Sequence, residues 1–512
     1  MKNSTKIEIL LIFLLLAFLI IMIFGMFHKD NISGNNNSDE NIEIRTESTN
    51  LNVEYTAEEL SEDTSSYDTK IALIDSGTTI EGNGAKVSNN TITITSAGTY
   101  YITGTLSDGN IVIQAGKNDV VKLILDNVDL TSLTTAPING VTASKLIITL
   151  ANGSTNTITD SSSYSTFTDT EKQEPDSAVF TKTDLVINGT GKLIVNANYS
   201  DGIVSKDGLK IINSNIEVNS EDDGIRGKDY VAIKDANITV NSKGDGIKST
   251  NDSDENLGYI VIEGGSIKMS SGDDGIHADT DIVINDGNIG ISKSYEGIES
   301  TYIEINGGTI SAVASDDGIN VSGGNDGSAM GGRPGENTFS SSSNSNRKLV
   351  INNGNIKVDS TGDGLDSNGS IYINGGSVYV AGPTANGNGS LDYDSECVVT
   401  GGELIIYGSN GMWQNPTSNS TQYSITYYSS GNPDEEIVIK DSLENEIVSF
   451  TTEKSYGAIV VSNSNLKNGE TYTMYKNGAE VGSITVDSIV STYGTSERMN
   501  GGGMMRQERM QR

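Results

Sequence analysis

An Asp-Gly pair followed by an apolar residue recurs through the middle of this 512-residue chain at a nearly fixed interval. The acid stands at Asp201, Asp223, Asp245, Asp274, Glu296, Asp317 and Asp363; the plain steps are 22 or 21 residues, and the longer ones contain insertions. Asp222, Asp273 and Asp316 place a second acid beside the first. One Asp-Gly is ordinary turn chemistry; repeated in register, the acids stack into a column. Two carboxylates about 5 Å apart repel by ~3 kcal/mol at an effective dielectric of 20, so such a column either raises its pKa values or recruits a cation. Carboxylates and turn carbonyls are the hard oxygen donors that Ca²⁺ accepts at flexible geometry. The candidate metal ligands are Asp222, Asp223, Asp245, Asp273 and Asp274, the densest group, with Asp316 and Asp317 as a second. The alternative is that these acids face water and only cap turns. The histidines, His28 and His277, and the lone Cys397 make a poor set for a transition metal.

Two further sets could do chemistry. Strand alternation turns Tyr230, Tyr259 and Tyr302 outward, with Asp281 between the last two, as an exposed row suited to stacking on pyranose faces. Tyrosine is also simply a good exposed strand residue. Lys206 and Lys228 follow their acids by five residues, and Arg226 and Lys248 follow theirs by three. As bases, Lys206, Lys228 and Lys248 would serve a lyase; as ion-pair partners they would keep their usual charge.

The elements that position these residues are short and β-branched, as in VAIKDANITV, IVINDGNIGI and IEINGGTISAV, each broken by Asn-Gly-Gly or a relative. Runs this short and this rich in Ile, Val and Thr read as strands, and a period in the low twenties reads as stacked repeats. The expectation is an all-β chain built as a single-stranded parallel β-helix, an open solenoid whose equivalent residues stack at about 4.8 Å. Its last coil would leave an unpaired edge, which a small antiparallel β cap would cover.

Residues 1–28 carry an uncharged run from Ile9 to Phe27 after Lys2 and Lys6. That run is long enough to span a membrane, so a signal anchor is expected, with a cleaved signal peptide as the alternative. Positive charge before the run puts the remainder outside the cell. Residues 29–84 read as an acidic, Asn/Ser-rich linker, 85–410 as the repeat body with loop insertions at 251–258 and 323–347, 411–495 as the C-terminal β module, and 496–512 as a disordered tail. A formal charge of −35 excludes nucleic acid as a natural partner, and one cysteine excludes an intrachain disulfide. Trp413, at the junction of body and cap, reads as packing.

The stretch AVFTKTDLVINGTGKLIVNANYSDGIVSKDGLKIINSNIEVNSEDDGIRGKD resembles the clostridial cellulose- and pectate-binding β-helix family of carbohydrate-binding domain-containing proteins. GTYYITGTLSDGNIVIQAGKNDVVKLILDNVDL upstream and SYGAIVVSNSNLKNGETYTMYKNG downstream are similar to that family's ends. The resemblance implies a right-handed, pectate-lyase-like fold with bound calcium, and binding of cellulose and acidic plant cell-wall polysaccharide at the cell surface without established catalysis. A calcium-dependent polysaccharide binder is the first expectation. A calcium-dependent pectate lyase and a structural cell-surface adhesin are the alternatives.

Overall fold

The computed structural model describes residues 51–322 and 347–496, apart from 52, 252 and 255. The N-terminal apolar run, most of the second loop insertion and the C-terminal tail lie outside the described residues. Among the described residues there is no helix long and apolar enough to cross a membrane, and the named elements are all strands.

Three parallel ladders run the length of the molecule. The first steps through Lys145–Leu150, Asp184–Asn188, Gly208–Ile212 and Tyr230–Lys234 and continues to Glu396–Val399. The second steps through Thr155–Thr159, Lys192–Ala197, Asn215–Ser220 and Ala236–Asn241 and continues to Glu403–Gly408. The third carries the Asp-Gly phrases, from Ser177–Thr181 and Asp201–Ser205 through Ile225–Gly227 to Leu391–Tyr393. Alternation sends one side of each ladder inward. Val231, Ile233, Ile260, Ile262, Ile282, Ile284, Ile303 and Ile305 are all fully buried. They belong to one continuous core shared by all three ladders, because each coil's apolar side can be covered only by its neighbours.

The Asn-Gly-Gly phrase forms the corner between the first two ladders. Gly308 and Gly376 sit there at φ +86° and +78°, a left-handed region that glycine enters at no steric cost. The preceding asparagines stack into an amide ladder, Asn306 donating to Asn285 at 3.0 Å, Asn352 to Asn306 at 2.8 Å and Asn374 to Asn352 at 2.9 Å.

The fold expectation needs correcting in two respects. First, the body is closed, a parallel barrel with extra strands, and not the open solenoid of a single-stranded parallel β-helix. Val120–Thr131, Tyr259–Ser270 and Asp281–Lys293 run straight through the corner, so the first two ladders merge into a single 25-stranded sheet. With the 13-stranded third ladder, that sheet makes a closed parallel wall around one core. Second, the C-terminal residues are not a separate cap. Ala458–Ser462 pairs antiparallel with Glu403–Gly408, which places it in the large sheet with Ser424–Tyr427 and Val490–Tyr493. Four other strands, within residues 436–485, make a small antiparallel sheet of their own. The physical reason is edge satisfaction: the last body strand recruits the next segment into its own sheet. The N-terminal end does the same, where Thr69–Leu73 pairs antiparallel with Thr79–Glu81 and parallel with Gly98–Leu106. Ordered strands therefore begin ahead of Ala85, inside the stretch expected to be a linker.

Candidate functional site

Each repeat acid stands where the chain enters a third-ladder strand, and in the aspartates one oxygen is committed to the backbone. Asp201 accepts the amide of Asp223 at 3.2 Å, Asp223 that of Asp245 at 3.0 Å, Asp245 that of Asp274 at 2.9 Å and Asp274 that of Glu296 at 3.1 Å. Asp317 accepts from Asp363, and Asp363 accepts the amide of Gly389 at 2.6 Å. The glycine after each acid serves close approach rather than a left-handed turn. A Cβ on Gly246 would lie 2.6 Å from the carbonyl oxygen of Gly275, and one on Gly297 would lie 2.2 Å from that of Gly318.

The second carboxylate oxygen faces a neighbouring column made of the residue three places after each acid. In ladder register this column reads Val204, Arg226, Lys248, His277, Glu299, Asn320 and Asp366, and continues to Asp392 three places after Gly389. From Arg226 to His277 it is cationic. Arg226 pairs with Asp201 at 2.5 Å and with Asp176 at 2.9 Å. Lys248 pairs with Asp245 at 2.5 Å and with Asp223 at 3.4 Å. His277 Nδ1 lies 3.1 Å from Asp274 and 2.8 Å from Glu299. Burial works against an imidazolium here, but the bonds to Asp274, Asp279 and Glu299 outweigh it and raise the His277 pKa, so the ring is a counter-ion. Burial also raises the carboxyls of Asp201 and Asp274, each to about 7, even with a cation beside them.

After Glu299 the column turns neutral and then acidic. Asp317, Asp363 and Asp366 bring carboxylate oxygens within 4.8 Å of one another, and none of the ion pairs among the described residues neutralises them. Burial, then Asp363 and Asp366, push Asp317 up to about 9. Burial, then Asp363 and Asp392, push Asp366 up to about 8. Burial carries Asp363 to about 6, against the pull of the Gly389 amide. Asn320, in register with Asp366, is buried with its Oδ1 lacking a hydrogen-bond partner.

The expected ligands therefore divide. Asp245, Asp273 and Asp274 do come together within 4.8 Å, but Lys248 and His277 already compensate them. Asp223 is buried beside Lys248, Asp222 is exposed next to it, and Asp316 is engaged by the Tyr295 hydroxyl. Asp317 belongs to the uncompensated group, whose other members, Asp363 and Asp366, were missed among the ligands, as were His277 and Glu299. A readable signal existed. From Asp223 onward, the position three after each acid runs Arg, Lys, His, Glu, Asn, Asp along the chain, and it marks where counter-ions stop.

The tyrosine row is corrected. Tyr230 and Tyr259 do stack, with ring centroids 5.4 Å apart and planes within 14°. Tyr302 is buried, however, and donates to Glu304 at 2.9 Å. The face is also partly covered by residues 54–63, the supposed linker. Tyr55 donates to Glu263 and lies beneath Lys210 and Lys234, 5.4 Å and 5.5 Å from its ring centre. Among the lysines, Lys206 is paired with Glu174 at 3.3 Å and Asp176 at 3.2 Å. Lys248 keeps a raised pKa because Asp245 and Asp223 outweigh the burial that would lower it, which opposes service as a base. Lys228 is half-buried, its backbone amide bonded to Ser205 at 2.9 Å.

A family model described as carbohydrate-binding domain-containing protein matches residues 88–333. A protein of that description from Acetivibrio thermocellus is 38% identical over 137 residues, covering 27% of this chain. The match takes in 48% of the relative, so the chain spans about half the length of that curated protein. A solved structure, the gadolinium derivative of a polysaccharide lyase-like protein from C. thermocellum, is 32% identical. It matches over 48% of this chain and 93% of its own, at a TM-score of 0.42. Residues 88–333 of the chain are thus similar to the carbohydrate-binding domain-containing protein family. The family match at 88–333 includes Asp317 and ends before Asp363 and Asp366, so the uncompensated cluster straddles its boundary.

Proposed function

We propose that this chain is an extracellular polysaccharide-binding protein that holds calcium at Asp317, Asp363 and Asp366 and uses it to bind an acidic plant polysaccharide, polygalacturonate. The family match over residues 88–333 supports carbohydrate binding as the class. The observation that carries the calcium assignment is three crowded carboxylates without a cation among the described residues, beside a buried and unpartnered amide oxygen of Asn320. That donor set is all oxygen, which suits a hard cation; the other clusters hold a lysine or an imidazolium where the ion would sit. Calcium, when bound, neutralises the three carboxylates and offers its remaining positions to uronate carboxylates, which a chain of charge −35 would otherwise repel. The apolar run Ile9–Phe27 supports a cell-surface address. The test is a calorimetric titration of polygalacturonate into the protein, in calcium and again in excess chelator at fixed salt. Binding confined to calcium, with no unsaturated product in the ultraviolet, is the expected result. Unsaturated product moves the protein to the lyases, and an absence of heat in both buffers removes the acidic-glycan reading.

A further inference from the structure

The outward side of the first ladder carries a row of cations in an otherwise strongly acidic protein. Lys122 and Lys210 occupy one outward column, Lys145 the column on one side of it and Lys234 the column on the other. Residues 54–63 lie along this row and engage every member. Lys122 donates to the carbonyls of Ser61 at 3.0 Å and Asp63 at 3.2 Å. The Glu59 carboxylate is clamped between Lys145 at 2.5 Å and Lys210 at 3.0 Å. Lys210 also donates to the Glu54 carbonyl at 2.7 Å, and Asn188 donates to the carbonyls of Glu59 at 2.7 Å and Ser61 at 3.2 Å.

The site is built rather than superficial. Lys210 is 8% exposed, Asn188 0% and Glu59 1%, and Asn188 is fixed from behind by Thr149, whose hydroxyl donates to its Oδ1 at 2.6 Å. Beside it lies the Tyr230–Tyr259 stack, seated over Gly208, where a Cβ would come 2.3 Å from the Tyr230 ring. Residues 54–63 add no strand to any ladder. They are held by a carboxylate, a tyrosine ring and carbonyl oxygens, and an acidic sugar offers the carboxylate together with hydroxyl oxygens that accept as the carbonyls do. Buried lysines require an anion opposite them, so only another anion can replace Glu59 without stranding charge.

We infer that Lys145, Lys210 and Asn188 form a second site, for the carboxylate of an acidic glycan, and that the chain's own residues 54–63 occupy it as a displaceable stand-in. This rests on the reading of the chain as an acidic-glycan binder, but it is independent of calcium. The test is run in excess chelator, which silences calcium bridging. Polygalacturonate and polyglutamate are each titrated into the protein and into its Tyr55→Ala/Glu59→Gln variant, with melting curves and limited proteolysis of residues 51–66 as controls. The expected result is polygalacturonate binding at least tenfold tighter in the variant, and loss of that gain when Lys145→Gln and Lys210→Gln are added. A folded variant whose segment has become protease-sensitive yet binds no better overturns the inference. So does a gain for polyglutamate alone, which would make this a peptide site. Should the double variant not fold, Tyr55→Ala alone is judged by the same two readouts. Failure of the calcium reading shows separately, as absence of binding by the parent protein in calcium.

Discussion

A carboxylate at one repeat position does two jobs in this protein, and the residue three places on decides which is visible. In the repeat aspartates one oxygen holds the next backbone amide, so the acids would recur even with no ligand to bind. The other oxygen meets Arg226, Lys248 or His277 early in the column and Asn320 or Asp366 late in it. The same acid is thus half of an ion pair at Asp245 and part of an uncompensated cluster at Asp317. The adjoining glycine is constrained equally tightly. Gly246→Ala would drive a Cβ to 2.6 Å from the Gly275 carbonyl oxygen. Because backbone on both sides is locked in the ladder, we expect a loss of about 1–3 kcal/mol, read from urea unfolding midpoints. A variant as stable as the parent would show that the third ladder yields more easily than its hydrogen bonds indicate.

Among the elements, the corner and the last edge separate what a repeat pattern shows from what it hides. Asn-Gly-Gly announces a break, and the asparagine ladder with its left-handed glycines fulfils it at Asn306, Asn352 and Asn374. The same phrase at Glu263-Gly264-Gly265 lies within one continuous strand, Tyr259–Ser270. Local glycine content cannot distinguish a turn from a bend, because both need the same φ range. The last edge is closed by Ala458–Ser462, with Val460 opposite Ile406. Val460→Pro removes a ladder donor and reopens that edge. We expect a lower melting temperature together with concentration-dependent association in light scattering. A monomeric variant of parental stability would mean that other strands suffice to close the end.

Over the molecule as a whole, the acid column makes stability depend on pH, and the proposed calcium site would tie that dependence to the ion. Asp317 and Asp366 titrate at about 9 and about 8 in the folded protein, against roughly 4 for a free carboxyl. Their folded pKa values are raised, so the folded state binds more protons than the unfolded state inside that window. Metal-free stability therefore falls as pH rises from about 4 towards about 8–9. On the proposed calcium site, calcium would take the place of the protons, and its stabilising effect is expected to grow over the same range. Scanning calorimetry at about pH 5 and about pH 8, with calcium and with chelator, checks this. A calcium-induced shift in melting temperature of equal size at both would place the ion elsewhere.

Period, strand content and the inward residues were open to reading from the chain alone, because a 22-residue repeat of β-branched runs leaves few ways to bury Ile262 or Ile284. The Asp245, Asp273 and Asp274 grouping was legible for the same reason, since register follows from the period. Whether those acids carry free charge was not. Counter-ions are assigned by proximity between columns, and the repeat phrase that aligned Asp317 with Asp363 gave no sign that Asp366 lies beside them. The merging of two ladders into one sheet and the seating of Glu59 between Lys145 and Lys210, 86 and 151 residues away in sequence, arise only in three dimensions. Local pattern sets which side of a strand is apolar, but the pairing of a buried charge is a long-range choice, made by whichever partner the packed chain brings within reach.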